Sequence, residues 1–267
     1  MKAIPFMTGS NTKADKYIEK TTQKHEVDLT ERKWRYTVDQ RQSNAGLVPA
    51  PKIDLPKTSD ILRILHGSAV CMLDIANAFH SIVYAPSSRQ YTSFWGVTGT
   101  KYQFKRCCQG MQASPYHFST PVSAIFNAKN FQKFCDDNEY PFDPVKDLPS
   151  EWFILYVDDI LLAVTPTTFL KRLHFVLHTL FQFKLKINFT KLLLGTYKFA
   201  FLGSQYDLKD SVSSIKLDRR EALLAYREPR SFAEILSRTA SFNYNSRFLP
   251  GLQKFLIPLL HLLSLGR

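Results

Sequence analysis

The sequence predicts an α+β fold with a helical C-terminal part, and three observations support this assignment. Residues 70–73 and 154–163 contain short apolar runs rich in the residue types of buried strands. Residues 167–183 carry apolar side chains at helical spacing, and the same spacing returns in residues 231–242 and 252–263. With 45% hydrophobic residues in a chain of 267, a sizeable core can form, which argues against full disorder.

The first part of the chain alternates extended and helical segments. Residues 1–33 are polar and are expected to form a tail or a loosely packed start. Residues 34–38 alternate as a strand does, and three prolines between residues 49 and 56 predict an extended connector. Residues 58–60 can cap a short helix that ends near Gly67.

The next segments predict a hairpin, two helices and a strand. Residues 91–95 and 102–105 flank a glycine-containing turn, which is typical of a β-hairpin. Ser114 and Pro115 are expected to open a helix that reaches about residue 127. Residues 128–150 are polar and predict an inserted loop or a short helix, and residues 199–202 predict a strand. The apolar residues 255–265 are too few to span a bilayer and are expected to form a core helix.

Charge and cysteine content narrow the classes of partner and compartment. The formal net charge of +12 and a pI near 9.5 make a polyanion the first partner to expect, although a basic surface can also serve solubility alone. Four scattered cysteines predict neither a disulfide framework nor a structural zinc site, and a reducing compartment follows. Because no secretion signal or membrane span is recognisable, we expect an intracellular location without membrane attachment.

Adjacent acids lie between two apolar runs at Asp158 and Asp159. The simplest geometry is a buried hairpin with the acids at its turn, where repulsion and lost hydration call for a divalent cation. Asp74 follows another apolar run, so three carboxylates at neighbouring strand ends could bind two Mg²⁺ ions. The alternatives are ordinary ones, because aspartate is common in solvated turns and at strand ends.

The residues Tyr156, Val157, Asp158 and Asp159 resemble the YxDD box of reverse transcriptases, particularly those of retroviruses and long-terminal-repeat retrotransposons. Five further segments resemble boxes of this family in the same order, and together they cover about residues 34–263. They are Trp34 and Arg35 with Asp39, Arg41 and Asn44 (WR…DxRxxN), residues 73–82 (LDxxxAFxxI), residues 109–118 (QGxxxSPxxF), residues 201–203 (FLG) and residues 231–250, which are similar to the thumb segment.

The resemblance implies a right-hand polymerase fold. This fold has fingers, a palm built from an antiparallel sheet plus helices, and here a partial helical thumb. Residues 34–72 and 84–118 would form fingers and adjoining palm, residues 73–83 and 119–205 the palm, and residues 206–267 the primer grip and partial thumb.

The resemblance also implies roles for individual residues. The catalytic and metal-binding carboxylates would be Asp74, Asp158 and Asp159. The nucleotide-binding residues would be Arg35, Phe79, Gln109, Gly110 and Lys191, and the primer and template would lie against Tyr156, Val157, Phe201, Leu202 and Gly203. Phe79 would be the aromatic gate that rejects a 2′-hydroxyl, with an ordinary core phenylalanine as the alternative. Arg35 could equally be an exposed arginine.

The implied activity is that of an RNA-directed DNA polymerase, a nucleotidyltransferase that adds deoxynucleotides to a primer 3′-hydroxyl. Mg²⁺, or Mn²⁺ in its place, would be the cofactor. An RNA or DNA template, a primer strand and deoxynucleoside triphosphates would be the partners. The rival interpretation is a non-catalytic nucleic-acid-binding or scaffold protein derived from a retroelement polymerase. It is favoured by residues 1–33, which lack the longer fingers region of the family.

Overall fold

The computed structural model describes residues 38–96 and 99–265, so the strand expected at residues 34–38 and the side chain of Arg35 lie outside it, apart from Val38. Its helices are α1 (Arg41–Ala45), α2 (Thr58–Leu65), α3 (Ser114–Ile125), α4 (Ala128–Asp137), α5 (Phe169–Gln182), α6 (Leu217–Leu224), α7 (Phe232–Tyr244) and α8 (Leu252–Leu265). Its strands are β1 (Ala69–Asp74), β2 (Phe94–Trp95), β3 (Lys101–Tyr102), β4 (Phe153–Tyr156), β5 (Asp159–Val164), β6 (Leu193–Thr196), β7 (Lys198–Phe201), β8 (Ser204–Asp207) and β9 (Val212–Ile215). Short 3₁₀ turns lie at Ala78–Ser81, Pro86–Thr92, Pro149–Glu151, Phe189–Lys191 and Ser246–Phe248.

The central sheet is antiparallel, with the strand order β4-β5-β1-β6. Strands β4 and β5 form the expected hairpin, and Val157 and Asp158 make its turn. Strand β5 is buried along nearly its whole length, which explains its unbroken run of Ile, Leu, Ala and Val. The two inner strands of the sheet, β1 and β5, are antiparallel neighbours. The C-terminal end of β1 therefore lies beside the N-terminal end of β5.

Helices cover the central sheet and complete the core. Helices α2 and α5 pack against β5, and α3 packs against β4. The largest side chains buried between them are aromatic: Phe118, Phe131, Trp152 and Phe175. Of the two alternatives for the polar residues 128–150, a loop or a short helix, the structure shows the helix α4 followed by a loop, and α4 buries Phe131, Phe134 and Cys135 on one side.

A buried ion group fastens the loop after α4 to helix α5. The Asp147 side chain is 3% exposed, with Lys171 Nζ 2.6 Å and Arg172 Nη2 3.8 Å from its carboxylate oxygens. Lys171 also donates to the Pro141 carbonyl, and Arg172 donates to the Ala163 carbonyl of β5, both at 2.8 Å. Because one carboxylate faces two cations and both cations also donate to backbone carbonyls, the buried Asp147 is fully compensated, and the loop can lie against the core.

A second antiparallel sheet, β7-β8-β9, leads into the C-terminal helices. Helix α8 was expected to be a core helix, and this was wrong. Leu256 is buried, but Phe255 is 74% and Ile257 61% exposed, because α8 packs against α7 on one side. The β2-β3 hairpin is shorter than expected, because Pro86 opens a 3₁₀ turn that continues to Thr92.

The α+β fold class and the helical C-terminal part are confirmed. All four cysteines are free and buried. Within residues 38–96 and 99–265, no helix has the length and apolar character needed to cross a membrane.

Candidate active site

The three predicted acids meet at one end of the central sheet. Asp74 ends β1 and lies directly opposite Asp159, which begins β5. The backbone N–H of Ile75 donates to the Asp158 carbonyl at 2.8 Å, which fixes the hairpin turn beside the end of β1. Directly opposed residues of antiparallel strands carry their side chains on the same face, with Cβ atoms roughly 5 Å apart. Asp74 and Asp159 are therefore neighbours in space.

The turn that carries Asp158 has an unusual backbone. Val157 has φ 57°, in the left-handed region that β-branched residues rarely adopt. A positive φ at the first turn residue is the pattern of a type II′ hairpin turn, in which glycine is the preferred residue. Such a conformation costs on the order of 1–3 kcal/mol and persists because the flanking strands impose it.

The preceding Tyr156 packs its ring edge-on against Phe201, with centroids 5.9 Å apart.

The charges of this cluster interact strongly. Burial, followed by the charges of Asp158 and Asp74, raises the pKa of Asp159 to about 6. Lys191 offsets part of this effect, since its Nζ lies 2.5 Å from Asp74 Oδ1. The hydrogen bond to Asp74 in turn raises the pKa of Lys191 above its usual value. Lys191 is thus hydrogen-bonded to Asp74 and interacts with Asp158 and Asp159 through its charge.

Local backbone bonds bring Lys191 to this position. The Asn188 N–H donates to the Asp74 carbonyl at 2.8 Å, which attaches the segment to the end of β1. The Asn188 side chain then accepts from the N–H of Thr190 and opens the 3₁₀ turn Phe189–Lys191. Sequence comparison alone singled out Lys191, and the structure shows it in direct contact with a predicted acid.

The donor chemistry of the acids fits a hard divalent cation, because carboxylate oxygens are the ligands that Mg²⁺ prefers. In the described part of the chain, however, no three His, Cys, Asp or Glu side chains are grouped closely enough to hold one ion. Asp74 is instead paired with Lys191. The metal site therefore stays a prediction.

Phe79 lies five residues after Asp74 and is half-buried. It sits in the 3₁₀ turn Ala78–Ser81, which begins after Asn77 in the left-handed region at φ 53°. Its ring meets that of the fully buried Phe118 edge-on, with centroids 6.1 Å apart. Phe79 thus has one side against the core and one side exposed.

The loop that carries Gln109 and Gly110 is held by a residue to which sequence analysis gave no role. The Asn44 side chain donates to the Gly110 carbonyl at 2.8 Å and accepts from the Gln112 N–H at 2.9 Å. Gly110 has φ 92°, which favours glycine, and a Cβ there would approach the Val38 carbonyl at 3.4 Å. Asn44 is the asparagine of the DxRxxN box and lies two residues before Gly46 in the last turn of α1, which is the signal that the sequence offers for it.

The predicted primer-grip residues form the turn between β7 and β8. Leu202 and Gly203 have φ 48° and 74°, as a type I′ hairpin turn requires. The Tyr244 hydroxyl donates to the Leu202 carbonyl at 2.8 Å, and the Arg219 guanidinium lies over the Tyr244 ring at 4.2 Å. Arg219 also covers Gly203, where a Cβ would collide with its guanidinium. Helices α6 and α7 therefore hold this turn.

The structure thus brings together Asp74, Asp158, Asp159 and Lys191, and it joins Tyr156 to Phe201. Phe79 and Gly110 have other neighbours, namely Phe118 and Asn44. The contacts of Asn44, Arg219 and Tyr244 were not foreseen, because two of these three side chains bind backbone carbonyls of turns that are distant in sequence.

The chain was compared with models of protein families, with curated proteins and with solved structures. Residues 9–206, more than half of the chain, match the family model described as Reverse transcriptase (RNA-dependent DNA polymerase). No curated protein matches the chain.

Solved structures of the foamy viral protease-reverse transcriptase are similar to it. One, in complex with double-stranded DNA, has a TM-score of 0.71 at 22% identity and covers 88% of this chain and 38% of that chain. Another, in complex with an RNA/DNA hybrid, has a TM-score of 0.65 at 22% identity and covers 90% of this chain and 30% of that chain. The chain therefore spans well under half of these proteins, and the likeness confirms the expected polymerase fold. The match over residues 9–206 shows that the chain belongs to the reverse transcriptase family.

Proposed function

We propose that the chain catalyses RNA-directed DNA synthesis, in which a primer 3′-hydroxyl attacks the α-phosphate of a deoxynucleoside triphosphate and pyrophosphate leaves. The observation that carries this proposal is the grouping of Asp74, Asp158 and Asp159 with Lys191 at the end of the central sheet, in a member of this family. The similar foamy viral structures contain double-stranded DNA or an RNA/DNA hybrid, which supports a nucleic-acid partner.

In this proposal Asp74 and Asp158 hold the divalent cations, and Asp159 takes a more peripheral part. Two bound Mg²⁺ ions, or Mn²⁺ ions, would lower the pKa of the attacking hydroxyl and stabilise the leaving oxygen. Lys191 forms a hydrogen-bonded ion pair with Asp74, and its side chain is 57% exposed. Its ammonium group can therefore rotate towards phosphate oxygens when a nucleotide binds. This would neutralise charge on the leaving pyrophosphate.

The remaining residues would position the substrates. Phe79 would lie under the sugar, and Gln109 and Gly110 would contact the nucleotide or template, on a loop steadied by Asn44. Arg35 would bind the triphosphate. Tyr156 and Val157 would meet the primer end, and the turn of Leu202 and Gly203, on its strand after Phe201, would hold the primer backbone. Residues 34–72 and 84–118 would then serve as fingers and adjoining palm, residues 73–83 and 119–205 as palm, and residues 206–267 as primer grip and partial thumb.

Primer extension on an RNA template with Mg²⁺ tests the proposal. We expect the wild-type chain to extend a DNA primer and the Asp158→Asn variant to lose at least about 10²-fold in rate, because a ligand carboxylate is neutralised. Asp54→Asn removes the same charge from an exposed acid elsewhere and is expected to leave the rate unchanged.

Two outcomes would contradict the proposal. Extension that is equal in Asp158→Asn and wild type would exclude a role for the acid pair. Tight binding of primer-template by a wild-type chain that adds no nucleotide would instead support the non-catalytic scaffold.

A further inference from the structure

A basic pocket of about 570 Å³ opens beside the segment that follows β1. Of the residues that the structure describes, neither the three acids nor the predicted nucleotide-binding residues Phe79, Gln109, Gly110 and Lys191 line it, so its lining is distinct from that of the candidate active site. No Asp or Glu is among its described lining residues. Its principal lining residues are Asn77, His80, Arg106, Phe183, Lys184 and Lys186.

Two lysines converge on this pocket because of the backbone that carries them. Lys184 and Lys186 lie on either side of the buried Leu185, and both line the pocket. Lys184 ends the turn after α5 with φ 56°, and this reversal of the chain brings Lys186 to the same pocket. The Ala76 N–H donates to the Lys186 carbonyl at 2.7 Å, which holds this segment against the chain leaving Asp74. In the part of the chain that is described, neither ammonium has an acid within ion-pair distance.

Arg106 adds a fixed donor to the pocket, and His80 lines it beside Arg106. Arg106 Nη1 donates to the carbonyls of His80 and Ser81 at 3.0 and 3.3 Å, which anchors the guanidinium and leaves its other N–H groups available. His80 Nδ1 lies 2.9 Å from the Cys107 carbonyl, so this nitrogen carries the proton and the ring has a fixed orientation. The pocket therefore presents three positive charges, on Lys184, Lys186 and Arg106, and no described carboxylate forms an ion pair with any of them.

The size and the apolar part of the wall indicate the ligand class. A volume of about 570 Å³ falls in the range of small-molecule sites and exceeds what a single phosphate needs. Phe183 is 55% and Val83 58% exposed in the same wall, and an exposed aromatic ring is a surface on which a nucleobase stacks. Lysine and arginine bind phosphate oxygens through charge-assisted hydrogen bonds.

We propose that this pocket binds a nucleoside polyphosphate, with the phosphates on Lys184, Lys186 and Arg106 and the base against Phe183. The site requires neither the acids nor a divalent cation, so it stands independently of the proposed polymerase activity.

Titration calorimetry of the whole chain with ATP in EDTA tests the site under conditions that silence any metal-dependent nucleotide binding. We expect the double variant Lys184→Gln, Lys186→Gln to weaken ATP binding at least tenfold. The matched double variant Lys129→Gln, Lys133→Gln removes two exposed lysines from α4 and is expected to change the Kd by less than twofold. All four positions are exposed, so both variants should fold.

Phe183→Ala separates base from phosphate recognition. It is expected to weaken ATP severalfold and to leave inorganic pyrophosphate unchanged, while adenosine alone should bind much more weakly than ATP. The proposal would be overturned by no measurable ATP binding, by equal losses in the two lysine double variants, or by adenosine binding as tightly as ATP. A chain inactive in primer extension that still shows the expected pattern would disprove the polymerase and leave this site intact.

Discussion

Phe79 is the residue at which gate and core roles can be separated. Its ring has one side against Phe118 and one side exposed, a position that suits either role. If the ring lies under the nucleotide sugar, Phe79→Val should relieve a steric clash and shift the ratio of kcat/KM for ribonucleotide over deoxynucleotide by about tenfold or more. Steady-state incorporation of the two sugars on one template measures this ratio.

A purely structural Phe79 would behave differently. Truncation would then open a cavity that costs on the order of 3 kcal/mol in unfolding free energy, and both activities would fall together. Loss of folded protein cancels from the ratio. An unchanged ratio in a folded variant would therefore rule out the gate.

Asp159 should make the stability of the protein depend on pH. Its folded pKa of about 6 lies above the ordinary 3.8, because burial and then Asp158 and Asp74 disfavour the ionised form. The folded state therefore loses stability as pH rises from about 4 to 6 and stays less stable above that window. Asp159→Asn should raise the unfolding free energy at pH 7 by about 1 kcal/mol, after screening of this half-buried group.

The same substitution should give no gain at about pH 2.5, well below the ordinary pKa of 3.8, where Asp159 is protonated in both states. Urea unfolding in EDTA at the two pH values measures the difference. Asp54→Asn at an exposed position serves as the control. An equal gain at both pH values would mean that the benefit comes from packing and not from ionisation.

For individual residues, the sequence predicts a role where the side chain has a distinctive chemical function, such as a carboxylate or an ammonium group. The family resemblance pointed to the three acids and to Lys191, and the structure places Lys191 beside Asp74, although the two stand 117 positions apart. Asn44 and Tyr244 could not be given roles, because they bind the backbone carbonyls of Gly110 and Leu202, and any residue supplies such a carbonyl.

At the level of secondary-structure elements, the C-terminus of α5 has a lysine at a position whose backbone conformation favours glycine. The Lys184 N–H donates to the Phe181 carbonyl and the Leu185 N–H to the Leu180 carbonyl, which is the Schellman arrangement. Lys184 occupies the left-handed position at φ 56°, where glycine is preferred. Lys184→Gly should therefore raise the unfolding free energy by about 1 kcal/mol.

Thermal or urea unfolding of Lys184→Gly checks this expectation, with Lys186→Gly as the matched control. Lys186 loses the same charge at a position without a positive φ, so glycine there should not stabilise. A Lys184→Gly variant less stable than wild type would show that the lysine side chain makes contacts that outweigh its backbone strain.

Elements were predictable where local pattern and tertiary environment agree. The short helix expected after residues 58–60 is α2, and the hairpin around Asp158 is β4-β5, since capping and apolar runs are local signals. The prediction of a core helix failed for α8 because it rested on apolar content alone. Burial also requires a neighbouring element on each apolar face, and α8 packs on one side only. The ion group of Asp147 has no local signature, because its partners lie on a later helix.

For the whole molecule, the net charge of +12 predicts strongly salt-dependent binding of nucleic acid. If about six phosphates are contacted, the affinity for primer-template should fall about 10³-fold between 50 and 200 mM salt. Fluorescence anisotropy with a labelled duplex measures this slope, and an uncharged peptide-nucleic-acid duplex is the control. A flat response would indicate that the positive charge serves solubility alone.

The four buried thiols have a consequence for measuring how the molecule opens. Cys71 lies in β1, Cys107 and Cys108 precede the Gln109 loop, and Cys135 lies in α4. Burial raises the pKa of Cys71, and it raises the pKa of Cys108 and Cys135 to about 11, so these groups stay protonated and shielded at neutral pH. An alkylating reagent can therefore reach each sulfur only when its surroundings transiently separate.

The rate at which each cysteine is alkylated, followed by peptide mass spectrometry, would thus measure how often its surroundings open. The natural cysteines report separately on β1, on the segment before the Gln109 loop and on α4. Cys71, in an inner strand of the central sheet, should be modified last, and the loop pair Cys107 and Cys108 should be modified first. Equal rates at all four sulfurs would mean that the chain opens only as a single cooperative unit.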